Sequence, residues 1–323
     1  MITSKFIPYF ILLALQTDLT LPNGTWESVP DHTEDTFTGE DKGNVPDNSS
    51  SDPSEFQFLI TGGYRPTTND LAKYVVSLRL VKRYKFFGSD HACGGAIISK
   101  KIILTAAHCL FLGHVKLQPK DMVVVAGTPK RLKRTSTTQV MKVKQITSHS
   151  QYSDFGYDIG MVVLQEALHL GESVATLKLT REAAHPGTEC TALGWGAIIP
   201  HGPLPNEIVN VDLVIQPRHE CYAYGHTFRK SMLCVSNPKM DDADSCEGDS
   251  GGPLICNERL YGLVSFGRGC GEPHYPGIYT DVFMFVKWIR KNWSTPNTVP
   301  IPVLILGLAL LLVIVNLCMV TLL

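Results

Sequence analysis

The stretch Asp244-Ser245-Cys246-Glu247-Gly248-Asp249-Ser250-Gly251-Gly252-Pro253 sets a serine among small, flexible residues. Such a segment can present a hydroxyl on a tight turn, and Gly248 leaves the backbone free to aim amides at one point. A serine alone is unremarkable, because most are solvated or cap a helix. Ser250 has two companions far upstream. His108 stands in Leu104-Thr105-Ala106-Ala107-His108-Cys109, after an apolar run and beside a cysteine able to pin it. Asp158 stands in Tyr157-Asp158-Ile159-Gly160, just ahead of another apolar run. An alkyl hydroxyl is protonated at neutral pH and attacks a carbonyl only when an adjacent base, itself oriented by a third group, takes its proton. Hydroxyl, imidazole and carboxylate together supply acyl-transfer chemistry.

Short strands must bring these residues together. From Ile60 onward, apolar and β-branched runs recur between turn residues, at 74–80, 95–98, 102–105, 122–126, 140–146, 159–164, 189–193, 209–215, 252–255, 260–265 and 277–280. Many short strands with little helix between them predict an all-β barrel or sandwich. Residues 282–293 carry Val282, Phe285, Val286 and Ile289 at helical spacing, which predicts one terminal helix.

The net charge of −1 conceals an asymmetry. Residues 18–59 hold ten acidic residues and one lysine, whereas the chain from Ile60 onward carries a net +7. The acidic stretch buries too little apolar area to offset its ordering entropy, and it reads as a flexible pro-segment. The basic body lacks the interleaved aromatics of a nucleic-acid binder, so no nucleic-acid partner is expected. Of nine cysteines, none forms a CxxC pair, which speaks against zinc and thioredoxin-like chemistry. Eight lie in the body, an even set that suggests four disulfides and an oxidising compartment.

Both ends agree with secretion. Lys5 precedes an apolar run at 6–15, so residues 1–17 read as a signal peptide. Residues 294–300 form a Pro/Thr linker, and the 23 residues from 301 to 323 are uncharged. At about 1.5 Å per residue that run can cross a hydrocarbon core of roughly 30 Å. It also resembles a GPI-attachment signal after a polar spacer. Either anchor puts the body on the extracellular face of the membrane. Asn23, Asn48 and Asn292 open N-glycan sequons.

The three segments, taken with Cys190-Thr191-Ala192-Leu193-Gly194-Trp195-Gly196, Val264-Ser265-Phe266-Gly267 and Pro276-Gly277-Ile278-Tyr279, resemble the trypsin/chymotrypsin family of serine endopeptidases. The resemblance runs from Ile60 to about Trp293, with His, Asp and Ser in the family's order. It implies two six-stranded antiparallel β-barrels followed by a C-terminal α-helix. It also implies that Ser250 is the nucleophile, His108 the general base and Asp158 its orienting carboxylate, with the Gly248 and Ser250 amides as the oxyanion hole. No cofactor and no metal are implied. The expected partners are protein or peptide substrates and protein protease inhibitors.

Further roles follow from the same resemblance. Asp244 would floor the primary specificity pocket and select Arg or Lys, aided by Ser245, with Ser265, Phe266, Gly267 and Gly277 as pocket residues. Phe266 stands where the family usually has tryptophan. The implied disulfides are Cys93–Cys109, Cys190–Cys256, Cys221–Cys234 and Cys246–Cys270. Cleavage between Leu59 and Ile60 would free an amine that pairs with Asp249, and His91 matches the position that holds this aspartate in the zymogen. Leu59 departs from the Arg or Lys usual before that cut, so an activating protease tolerant of Leu is expected. Residues 130–134, Lys-Arg-Leu-Lys-Arg, fall in a loop where some relatives bind calcium through acids, and they read as a solvated loop or an exosite. The rival reading is a catalytically silent, protease-like binding protein at the cell surface. The order His, Asp, Ser separates the chain from α/β-hydrolase esterases.

Overall fold

The computed structural model describes residues 62–153, 156–240 and 242–293. Residues 1–61 and 294–323 lie outside it, and with them the signal peptide, the pro-segment, Leu59, Ile60, Asn23, Asn48 and the apolar tail. Among the described residues, no helix is long and apolar enough to cross a membrane.

The first half builds a closed barrel. In chain order its strands are β1 (Val75–Leu80), β2 (His91–Ser99), β3 (Ile102–Thr105), a minor hairpin of β4 (Phe111–Leu112) and β5 (Val115–Lys116), then β6 (Met122–Ala126), β7 (Gln139–Ser148) and β8 (Gly160–Leu164). Six of them close the ring in the order β1-β2-β3-β8-β7-β6, and β6 pairs back to β1. After the two-residue strand β9 (Lys178–Leu179) come β10 (Glu189–Gly194), β11 (Val209–Ile215), β12 (Met232–Ser236), β13 (Pro253–Cys256), β14 (Arg259–Phe266) and β15 (Gly277–Asp281). Their order is β13-β10-β11-β12-β15-β14, and the β13–β14 pairing closes a second six-stranded barrel. Only β9 pairs in parallel, as an appendage on β14. The two-barrel, all-β expectation is met. Closure leaves neither barrel an exposed edge.

Most of these strands are buried on both faces, which explains their continuous rather than alternating apolar pattern. β1 reads buried at every position and β13 likewise. One apolar cluster is shared between the barrels. It joins Ala96, Ile98, Leu104 and Met161 of the first to Leu193, Ile255 and Leu263 of the second, and takes in Val282, Phe285 and Ile289 of the helix α1 (Val282–Trp293). Those three helix residues share one side at three- and four-residue spacing, so the helix closes over the join. Asn292 sits in the last turn of α1, its amide donating to the Trp288 carbonyl at 2.9 Å.

All four implied disulfides are present: Cys93–Cys109, Cys190–Cys256, Cys221–Cys234 and Cys246–Cys270.

Candidate active site

The register between two strands of the first barrel brings His108 to Asp158. Thr105 at the end of β3 lies opposite Gly160 at the start of β8. His108 therefore enters its 3-10 turn beside the residue that precedes β8. The Asp158 carboxylate accepts from His108 Nδ1 at 2.8 Å and from the His108 backbone amide at 2.9 Å. A carboxylate only accepts, so Nδ1 carries the proton and the Nε2 lone pair is left for another partner. Ser265 donates to the same carboxylate at 2.6 Å, and the Thr280 hydroxyl donates to the Asp158 carbonyl at 2.6 Å. Both come from the second barrel.

Ser250 arrives from the second barrel on the turn before β13. Its carbonyl accepts from the Gly94 amide of β2 at 2.8 Å, and Cys109 Sγ lies 3.5 Å from the same oxygen. The serine turn is thereby docked beside the His108 loop. The Ser250 hydroxyl makes no hydrogen bond among the described residues. Catalytic contacts of this kind are often long before substrate closes the site.

The charges are matched. Burial works against a charged His108 ring, but the Asp158 carboxylate, through its charge and hydrogen bond, raises the imidazole above its ordinary value. Burial likewise opposes ionised Asp158, yet His108 and the donors on its carboxylate hold it below the usual range. The group poised to take a proton is a basic imidazole, and the group beside it stays ionised.

Gly248 has φ +102°, a conformation that L side chains rarely adopt, and a Cβ there would stand 3.1 Å from the Leu204 side chain. The turn it permits leaves the Gly248 and Ser250 amides without an acceptor among the described residues. Two unpartnered amides near one hydroxyl form a donor pair ready for an anionic oxygen. The Gly248 carbonyl is held by His91 Nε2 at 3.0 Å, while His91 Nδ1 accepts from Ser77 at 2.8 Å. Burial pushes His91 down to about 3, so the ring stays neutral. Here His91 contacts Gly248 and not the Asp249 carboxylate. Asp249 instead accepts from the Gly196 amide at 2.7 Å and the Cys246 amide at 3.0 Å. Burial raises it to about 6, and no described cation pairs with it. Gly62, the first described residue, packs against Ala243, so the chain enters close to Asp244.

A cavity of about 320 Å³ is lined by Asp244, Ser245, Ser250, Ser265, Phe266 and Gly267 among others. Asp244 is 4% exposed. Its carboxylate accepts from the Ser245 amide at 2.7 Å and the Ser245 hydroxyl at 3.3 Å. Burial, with Asp249 adding to it, raises the carboxyl to about 7 against those hydrogen bonds. Gly277, expected as a wall of this pocket, stands against the Asp244 carboxylate and lines a neighbouring cavity that Asp244 also lines. A Cβ there would approach Asp244 Oδ1 to 2.6 Å, so glycine is needed for the carboxylate to sit where it does. Phe266 lies at the cavity wall, its ring edge-on to Tyr224 at 5.8 Å. At the mouth, Glu247 pairs with His201 at 3.2 Å.

Two further clusters of metal-ligating residue types occur, Cys93/His108/Cys109 and Cys246/Glu247/Cys270. Their sulfurs are consumed in disulfides, so neither offers thiolates. Sequence reading missed Thr280, Ser77 and the Tyr279 hydroxyl, which donates to Ser245 at 3.0 Å. Nothing in their local sequence marks them, because each acts on a residue 14 or more positions away.

The basic run at 130–134 is not simply solvated. Arg131 is 7% exposed and donates to the carbonyls of Pro205 at 3.1 Å, Leu204 at 2.9 Å and Gly88 at 2.5 Å. Its own carbonyl accepts from buried Arg79 at 3.0 Å. Arg131 is thus a clamp between three loops.

Residues 60–289 match the family described as Trypsin. The chain is 35% identical over 240 residues to trypsin epsilon of Drosophila erecta, covering 72% of this chain and 87% of the relative. It is 36% identical over 205 residues to human kallikrein-14, covering 62% and 73%, and 33% identical over 245 residues to dog anionic trypsin, covering 74% and 92%. Among solved structures, mouse neuropsin, a serine protease expressed in the limbic system of the brain, superposes with a TM-score of 0.63 at 29% identity. That match covers 72% of this chain and 99% of neuropsin.

Proposed function

This chain belongs to the trypsin family of serine endopeptidases, and from that premise we propose that it cuts peptide bonds after Arg or Lys through an acyl-enzyme. The observation that carries the reading is one cavity lined by both Ser250 and the buried carboxylate of Asp244, which pairs with no cation among the described residues. A carboxylate at the end of a closed slot is costly to ionise alone and favourable beside a cation. Arginine fits it with two parallel hydrogen bonds.

With the basic residue seated, Ser250 Oγ attacks the scissile carbonyl carbon and His108 Nε2 takes the hydroxyl proton. Asp158, bonded to Nδ1, holds the tautomer and stabilises the imidazolium. The carbonyl oxygen becomes an anion and moves to the Gly248 and Ser250 amides, where one donor of this type contributes about 3–4 kcal/mol. The tetrahedral species collapses with the imidazolium proton going to the leaving amine. Water then repeats the sequence on the ester, returning the proton to Ser250.

The enzyme is made as a precursor and freed by a cut after Leu59, through a protease tolerant of Leu. The new Ile60 amine supplies the cation that buried Asp249 lacks among the described residues. Four disulfides suit an oxidising compartment. The apolar run at 301–323 anchors the protein to the outer face of the cell membrane, as a spanning helix or through GPI attachment.

Cleavage profiling of the processed enzyme on a peptide library tests the reading, with fluorophosphonate labelling of Ser250 in parallel. Labelling together with cuts confined to Arg and Lys is the expected result. Labelling with cuts elsewhere would remove the pocket assignment, and no labelling would remove the nucleophile.

A further inference from the structure

Arg131 draws the basic loop at 130–134 against the loop that leads into β2, through its bond to the Gly88 carbonyl. Phe87 completes the join, its ring covered by Arg79 at 4.3 Å and by Arg134 at 4.6 Å. The outer surface of this paired platform carries Lys82, Arg83 and Lys85 from one loop and Lys130, Lys133 and Arg134 from the other, all exposed. Among the described residues, Lys130 alone of these six forms an ion pair, with Glu207 at 3.9 Å. Between the cations stand exposed apolar side chains: Val81 at 46%, Tyr84 at 56%, Phe86 at 58% and Leu132 at 39%. Six cations held together repel one another, and four bare apolar side chains gain nothing from water. A fold that fixes both on one platform with a buried arginine is built to meet something acidic and partly apolar.

The platform also adjoins the chemistry. Arg131 holds the Leu204 carbonyl, and the Leu204 side chain neighbours Gly248. The loop carrying Lys82, Arg83 and Lys85 runs directly into β2, whose first residue, His91, fixes the Gly248 carbonyl. The pocket for the residue before the cut is lined by Ser250, Phe266 and Gly267, and the platform supplies none of its lining. A platform outside that pocket but beside Gly248 is placed to meet substrate residues beyond the cut.

We propose that the joined loops 81–90 and 130–134 form a docking surface for an acidic, aromatic-bearing segment of the protein substrate, on the leaving-group side of the cut bond. This rests on the endopeptidase reading above and adds to it a second recognition site. The platform selects among proteins that all offer Arg or Lys to the primary pocket. Its attraction acts at a distance and is screened by salt, with a Debye length of about 8 Å at physiological ionic strength and about 3 Å at 1 M.

The test uses enzyme released from the full chain by cleavage after Leu59. Two peptides share one arginyl cleavage site and differ only in a distal leaving-group segment, one rich in Asp and Glu with a Phe, the other with Asn and Gln in place of the acids. Wild type should cleave the acidic peptide about tenfold faster in kcat/KM at low salt, and the preference should vanish near 1 M salt. Combined Lys82→Glu, Arg83→Glu, Lys85→Glu and Lys133→Glu should abolish or invert the preference, with hydrolysis of a small arginyl ester unchanged. The milder Lys82→Gln/Lys133→Gln pair, which retains the clamp and any marginal fold, should reduce the preference partway. Tyr84→Ala/Phe86→Ala should lower cleavage of both peptides, which share the Phe, at every salt concentration. No preference in wild type, a preference that survives charge reversal, or competition by heparin but not by the free acidic peptide would each overturn the proposal. Loss of arginyl ester hydrolysis in wild type would instead overturn the endopeptidase reading beneath it.

Discussion

Replacing Asp244 by serine isolates what the pocket carboxylate does. The side chain is 4% exposed, and no described cation balances it. An arginyl or lysyl substrate would enter as the missing half of a buried ion pair. Removing one partner of such a pair costs about 3–5 kcal/mol. At about 1.4 kcal/mol per decade, kcat/KM for arginyl amides should fall by roughly two to nearly four decades. Amides with a neutral residue before the cut should lose nothing, and fluorophosphonate labelling of Ser250 should persist. The pH dependence sharpens the test. Burial raises the empty carboxyl to about 7. Below that value the pocket is protonated and must lose its proton to receive a cation, so the arginyl rate falls tenfold per pH unit from this group alone. His108, raised above its ordinary value, must also be neutral to act as base, and its protonation lowers the rate for every substrate. Arginyl kcat/KM should therefore approach a slope of two on the acid side, against one for neutral substrates, and Asp244→Ser should return the slope to one. Arginyl cleavage retained within tenfold, or equal slopes for the two substrate classes in wild type, would refute the reasoning.

Asp158→Asn should lower kcat by about 10⁴, the loss characteristic of the family's own triad, while leaving the melting temperature nearly unchanged. Arg131→Ala removes three donors that join distant loops; with a charged hydrogen bond contributing about 1.5–3 kcal/mol, thermal unfolding should show a loss of several kcal/mol, and a shift under 1 kcal/mol would make the clamp incidental. Amino-terminal sequencing of active enzyme should begin at Ile60. On the proposed pairing with Asp249, its amine, ordinarily near 8, would be raised, so that contribution would be present at lower pH and lost as pH rises through the raised value; activity sustained without decline to pH 10 would exclude the pairing.

The barrels were legible because closed sheets bury both faces of their strands, which leaves continuous apolar runs between turn residues. Eleven of the twelve barrel strands were marked by an apolar or β-branched run, with β7, where only Val143 of ten residues is buried, alternating apolar and polar residues instead. Met232–Ser236 was missed: its five residues include a cysteine and a methionine and offer no β-branched stretch to mark them, although four are buried. The helix at 282–293 matches its periodicity from end to end. His108, Asp158 and Ser250 were each visible in local context, but what steadies them was not. Thr280 reaches Asp158 across 122 residues, and Arg131 passed for one cation in an exposed run until folding enclosed it. Gly277 was read as a wall because glycine admits large side chains; its closeness to the Asp244 carboxylate, which a Cβ would meet at 2.6 Å, was not legible. Long-range partners leave no mark on the sequence around them.

In the proposed mechanism the reagents are divided unevenly between the halves: base and orienting acid would come from the first barrel, the nucleophile from the second. During synthesis an amino-terminal domain emerges first and folds as a unit. By the time residue 164 is free, the earlier barrel can close with its imidazole and carboxylate in place, yet nothing it holds can attack a peptide. The hydroxyl arrives 92 residues after the aspartate, and its docking contact on Gly94 waits until then. A nascent protease arranged this way would be unable to digest its neighbours at the ribosome until the second barrel is made.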